Sequence, residues 1–107
     1  MTTYADVDRI IDLWVKATGS TLFTEWAGKP ARFFHIGGTR PFECFQISID
    51  LPGPYEIAVF ARAIDTCDDT EMEMQRTWTG PVSQLDEMLA TAVAIVEQWK
   101  ARWDVAN

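Results

Sequence analysis

Apolar and polar side chains alternate strictly on both sides of Pro52-Gly53-Pro54, and this pattern constrains the fold more than any other feature of the chain. Phe45, Ile47, Ile49 and Leu51 fall on one side, and Cys44, Gln46, Ser48 and Asp50 on the other. A period of two belongs to a half-buried strand, because successive side chains of a pleated chain point to opposite faces. From Tyr55 to Ile64 the pattern repeats, with Ile57, Val59, Ala61 and Ala63 set against Glu56, Ala58, Phe60 and Arg62. A three-residue loop pairs Leu51 with Tyr55, Ile49 with Ile57, Ile47 with Val59 and Phe45 with Ala61. That register unites the two aliphatic sets, whereas a slip of one residue splits them. The small Ala61 and Ala63 then leave room for a helix to approach closely.

Two further strands and two helices are predicted around this hairpin. The strands cover 31–37, ended by Gly37-Gly38, and 71–79, where Met72, Met74 and Trp78 oppose Glu71, Glu73, Gln75 and Thr77; the hairpin strands cover 42–51 and 55–64. Thr3 with Asp6 three residues on resembles a capping box, Val7, Ile10, Ile11 and Trp14 recur at helical spacing, and Gly19 stands where a helix ends. A first helix is expected over 4–18. Ser83 and Asp86 signal a second start, continued by Leu85, Met88, Leu89, Ala92, Val96, Trp99 and Trp103, so a second helix is expected over 82–103. Residues 19–30 read as a loop or a single helical turn whose Leu22, Phe23 and Trp26 plug the core edge.

The order α-β-β-β-β-α with short connections implies an antiparallel meander, since parallel pairs need long crossovers. The expectation is one α+β domain over 1–107, a four-stranded sheet with both helices on one face. The opposite face carries Cys44, Gln46, Ser48, Phe60, Arg62, Ile64, Gln75 and Thr77, and is either solvated or the seat of a partner.

The 107 residues carry 9 Lys+Arg against 16 Asp+Glu, a net charge of −7. All of it resides between residues 65 and 97, where eight carboxylates face one arginine. Such a balance excludes nucleic acid as the expected ligand, because phosphate binding needs clustered cations, and favours a partner with a basic surface. An apolar content of 48% with five Trp and six Phe excludes a disordered acidic chain. The N-terminus lacks the basic and apolar regions of a signal peptide. The longest apolar run, Met88 to Val96, is about half a bilayer span. A cytoplasmic protein that meets no membrane is expected.

Candidate chemistry is sparse. His35 is the one histidine, without a visible partner for base catalysis or metal ligation, and reads as structural. Cys44 and Cys67 lie on the order of 15 Å apart in the expected register, too far for a disulfide. Arg62 opposite Cys44 would lower the thiol pKa, the one nucleophile hypothesis with a physical basis; the plainer role for Cys44 is a small apolar filler. An EF-hand counted from Asp65 fails at Cys67, Thr70 and Arg76. Gly37-Gly38-Thr39-Arg40-Pro41 reads as a turn, and Arg76 as snorkelling at a sheet edge. No catalytic residue, metal site or cofactor is expected.

Three functions follow in order. The first is a small acidic non-enzymatic interaction module that binds a protein partner through the acidic turn Asp65, Asp68, Asp69, Glu71 and Glu73, through Phe60 and Arg62 on the open face, and through a partly exposed Trp103. The outline is similar in general shape to small inhibitors, immunity proteins and secretion chaperones that work by docking, an analogy of architecture alone. The alternative is a small-molecule site or small enzyme between sheet and helices, built from His35, Cys44, Arg62 or Arg76 with Trp lining. The third is a homodimer through the open sheet face.

Overall fold

The computed structural model describes residues 2–66 and 73–103, with only the backbone at Trp103. A helix α1 (Tyr4–Ala17) leads into five strands: β1 (Leu22–Trp26), β2 (Lys29–Gly37), β3 (Cys44–Gly53), β4 (Glu56–Asp65) and β5 (Gln75–Pro81). A 3-10 turn (Val82–Gln84), helix α2 (Leu85–Lys100) and a last 3-10 turn (Ala101–Trp103) follow. The strands form one antiparallel sheet in the order β1-β2-β3-β4-β5. Among the described residues no helix is long and apolar enough to cross a membrane.

The sheet has five strands rather than four. The additional one, β1, occupies the segment expected to be a loop, and it joins β2 through a two-residue turn in which Ala27 (φ +53°) and Gly28 (φ +80°) are both left-handed. A turn of this hand follows the right-handed twist of the strands it connects, and its usual sequence is Asn-Gly or Asp-Gly. With Ala at the first position that signal is missing, although Leu22-Phe23-Thr24-Glu25-Trp26 is rich in strand formers.

Alternation decides the core. Phe34, Ile36, Phe45, Ile47, Ile49, Ile57, Val59 and Ala61 are buried on one side of the sheet, in one cluster with Val7, Ile11 and Val15 of α1 and Leu85, Leu89, Ala92 and Val96 of α2. Helix α2 packs chiefly on β4, where Ala61 and Ala63 keep the surface low. Helix α1 begins where the Asp6 carboxylate accepts the Thr3 backbone N–H at 2.8 Å. It ends where Gly19 N–H and Ser20 N–H return to the carbonyls of Lys16 and Val15, the double closure of a Schellman turn. Ser83 does not cap α2. It lies in the preceding 3-10 turn, and Asp86 instead accepts the Trp14 indole N–H at 2.8 Å, tying the two helices together.

The β3–β4 register differs from expectation by two residues. Ile49 pairs with Val59, Ile47 with Ala61 and Phe45 with Ala63. The strands run on to Gly53 and Glu56, and the extra residue is taken up between Asp50 and Gly53, around Pro52, which has no N–H to give to the ladder. A shift of two preserves the faces but changes the partners, so Arg62 stands opposite Gln46, while a second irregularity between Cys44 and Phe45 sets Cys44 opposite Asp65.

Candidate functional site

The side of the sheet away from the helices carries a cluster of rings at its β1–β2 end. Phe23 stacks on Phe33 with centroids 5.0 Å apart and planes 12° from parallel. His35 lies 5.8 Å from Phe33 and 5.3 Å from Phe23. Trp26 meets the Phe33 ring edge-on at 6.1 Å. Residues three apart on a regular strand point to opposite faces, yet Phe23 and Trp26 both reach Phe33. The register breaks between them, where Ala31 and Arg32 together oppose Thr24; an extra residue in one strand increases the local twist and re-aims the side chains beyond it. Phe23 remains 42% and Trp26 70% exposed, although a ring pair of this kind in a core would be sealed from water.

Beside the rings the face is concave. A depression of about 270 Å³ is lined by Trp26, Phe33, Gln46, Ser48, Asp50 and Arg62. A second of about 250 Å³ shares Gln46, Ser48, Asp50 and Arg62 and adds Phe60. Together they make a shallow groove across the sheet with Arg62 bordering both halves. The groove floor is polar because Gln46 and Ser48 are the outward residues of β3. Gln46 Oε1 lies 3.1 Å from His35 Nε2, which joins the groove to the ring cluster. Arg62 is exposed and makes no hydrogen bond or ion pair among the described residues.

The structure places the expected site residues in three groups. Phe60 and Arg62 border the groove. Asp65 and Glu73 are exposed at the far end of the sheet, away from the ring cluster. Asp68, Asp69, Glu71, Cys67 and the Trp103 side chain lie outside the described residues. Cys44 is not activated by Arg62: its thiol is pushed up from its ordinary pKa by burial and by the Asp65 carboxylate opposite it, the reverse of what a nucleophile needs. Arg76 is exposed on the edge strand β5, the position read for it from the sequence. Among the described residues no three His, Cys, Asp or Glu side chains are grouped to hold a metal ion.

Phe23, Trp26 and Phe33 were not among the expected site residues. Phe33-Phe34 held the signal, since two adjacent Phe in a strand must face opposite ways; Phe34 is fully buried, and Phe33 is therefore the outward one. Phe23 and Trp26 could be placed only once β1 was known to be a strand.

On the helix side, β2 is locked to α1. Arg32 donates to both Asp8 carboxylate oxygens, at 2.7 and 3.1 Å, and its guanidinium lies 4.5 Å from the centroid of the Tyr4 ring. That hydrogen bond to Asp8 raises the Arg32 pKa further. Burial and the Asp50 carboxylate raise that of the Tyr4 hydroxyl, which donates to the Ile49 carbonyl at 3.3 Å. These contacts hold the backs of β2 and β3 firm behind the groove.

No protein-family model, no curated protein and no solved structure matches the chain.

Proposed function

We propose that this chain is a non-enzymatic docking module whose working surface is the open face of the sheet, centred on Phe23, Trp26 and Phe33 and bordered by Arg62 and Phe60. The observation that carries the reading is the contiguous ring cluster left in water: exposed aromatic rings beside an arginine without a partner among the described residues are the residue types that dominate binding hot spots, and an apolar patch of this kind is costly on a surface without a partner. The groove, with halves of about 270 and 250 Å³, lies open on the sheet, whereas sites for small molecules bury most of their ligand's surface. That openness favours a partner's side chains over a free metabolite. The partner is a protein segment that lays apolar side chains on the rings.

Site-directed photo-crosslinking tests this. A benzophenone amino acid is placed at position 26 and, as a control, at position 13, an exposed leucine on α1. The expected result is an adduct specific to position 26, whose protein, once purified, binds the wild type but not the Phe23→Ser/Trp26→Ser variant. Adducts from position 13 alone, or equal binding to the variant, would overturn the proposal.

A further inference from the structure

The groove beside the rings has a chemistry of its own. Arg62 offers five N–H donors in a planar fork and no acceptor. Gln46 and Ser48 flank it on the groove floor, and the contact of Gln46 Oε1 with His35 leaves the amide NH₂ as a further donor. Donors therefore converge where apolar walls stand on both sides, Trp26 and Phe33 beyond one half and Phe60 beyond the other. The charge around them is also local: the whole chain is at −7, but residues 29–64 hold four cationic and three acidic side chains, a balance of +1.

We infer that the groove seats an aspartate or glutamate side chain from the middle of an otherwise apolar, extended segment of the partner. Its carboxylate lies on Arg62, and the apolar residues two before and two after it, which share its face in an extended chain, lie on Trp26 and Phe33 to one side and Phe60 to the other. This deepens the docking reading and rests on it. The acid belongs inside the segment rather than at its C-terminus because the groove continues past Arg62 in both halves, so a chain enters and leaves. Asp50 sets the limit of one acidic group. It borders the same groove four residues along β3 from Gln46, about 13 Å at the usual rise of a strand, and repels a second carboxylate placed there.

Fluorescence anisotropy with three labelled pentapeptides tests the inference on the full chain. The probes are acetyl-Phe-Gly-Glu-Gly-Phe amide, its Gln counterpart as the amide, and that Gln peptide with a free C-terminal carboxylate. A charge-assisted contact at a partly exposed site predicts that the Glu amide binds about fivefold tighter than the Gln amide. The preference disappears in Arg62→Met, survives in part in Arg62→Lys, and grows in Asp50→Asn. Equal affinities for the Glu and Gln amides, both weakened alike by Trp26→Ser, would overturn the acidic seat and leave the docking surface standing. Tight binding of the free-carboxylate Gln peptide alone would overturn the internal position of the acid. Binding of no peptide, or binding indifferent to Trp26→Ser, would remove the docking reading and the inference together.

Discussion

Glu43, in the turn between β2 and β3, is ion-paired with Arg102 beyond the end of α2, 59 residues along the chain. The Glu43 side chain is fully buried, and its other oxygen accepts the Arg40 backbone N–H at 2.8 Å. The turn passes so close that a Cβ at Gly38 would stand 2.3 Å from that of Glu43, so no larger residue fits there without moving the backbone. The Arg102 guanidinium also donates to the Trp99 carbonyl at 2.7 Å, and Trp99 packs on Phe45. One carboxylate thus pins a turn at the end of the sheet to the last turn of the described chain.

Removing one partner of a buried pair costs more than removing both, because a charge is left without compensation. Arg102→Ala is expected to lower stability by about 3 kcal/mol in urea unfolding. Adding Glu43→Gln to that variant recovers part of the loss, whereas simple addition of the two single effects would show that the pair is not coupled.

The turn at Ala27 is predicted to be improvable. A left-handed conformation costs a non-glycine residue roughly 1 kcal/mol, and Asn bears it better than Ala. Ala27→Asn should raise stability by about 0.5–1 kcal/mol, and Ala27→Val should lower it by at least as much. Thermal unfolding of the two variants measures both signs, and a destabilising Asn would contradict the left-handed assignment.

The rings of the open face should be dispensable for folding. Phe23→Ser and Trp26→Ser are expected to change stability by less than about 1 kcal/mol, as exposed substitutions do. Phe34→Ala, one residue from Phe33 but in the core, should cost about 3–5 kcal/mol. Comparable losses at Phe23 and Phe34 would place the cluster inside the fold rather than on its surface.

Cys44 should be a slow thiol. Burial and Asp65 favour its protonated form, so in a Cys67→Ser variant its alkylation by iodoacetamide at pH 8 is expected to lag well behind that of a free thiol. Asp65→Asn removes the second cause and should speed the reaction. The linkage has a definite sign: a thiol whose pKa is raised by folding stabilises the native state below its unfolded pKa, and that contribution is lost as pH rises through the higher folded value. Faster alkylation than the free thiol would contradict the structure at this site.

The sequence made the central hairpin, both helices and the buried face legible, because alternation at Phe45–Leu51 and Ile57–Ala63 records burial directly. It did not reveal the register, since the chain turns at Pro54-Tyr55 rather than across 52–54 and takes up one extra residue around Pro52, which together move the central pairs by two while leaving the faces unchanged. Strand β1 was hidden by one residue, Ala27, in a turn whose usual sequence carries Asn or Asp. Arg62 and Phe60 could be placed on the open face by parity alone. Their neighbours Phe23 and Trp26 could not, because the register break at Thr24 bends the end of β1 out of strict alternation. The Glu43–Arg102 pair joins segments far apart in sequence through ordinary surface residue types, and no local pattern marks it.

Docking of this kind requires that the open face be the surface that binds. A random peptide library selected on the purified protein, with the enriched peptides then titrated against wild type and against Phe23→Ser/Trp26→Ser, tests that most directly. The predicted result is a family of peptides whose binding is lost in the double variant while its unfolding curve stays close to that of the wild type. Peptides that bind both proteins equally well would contradict it.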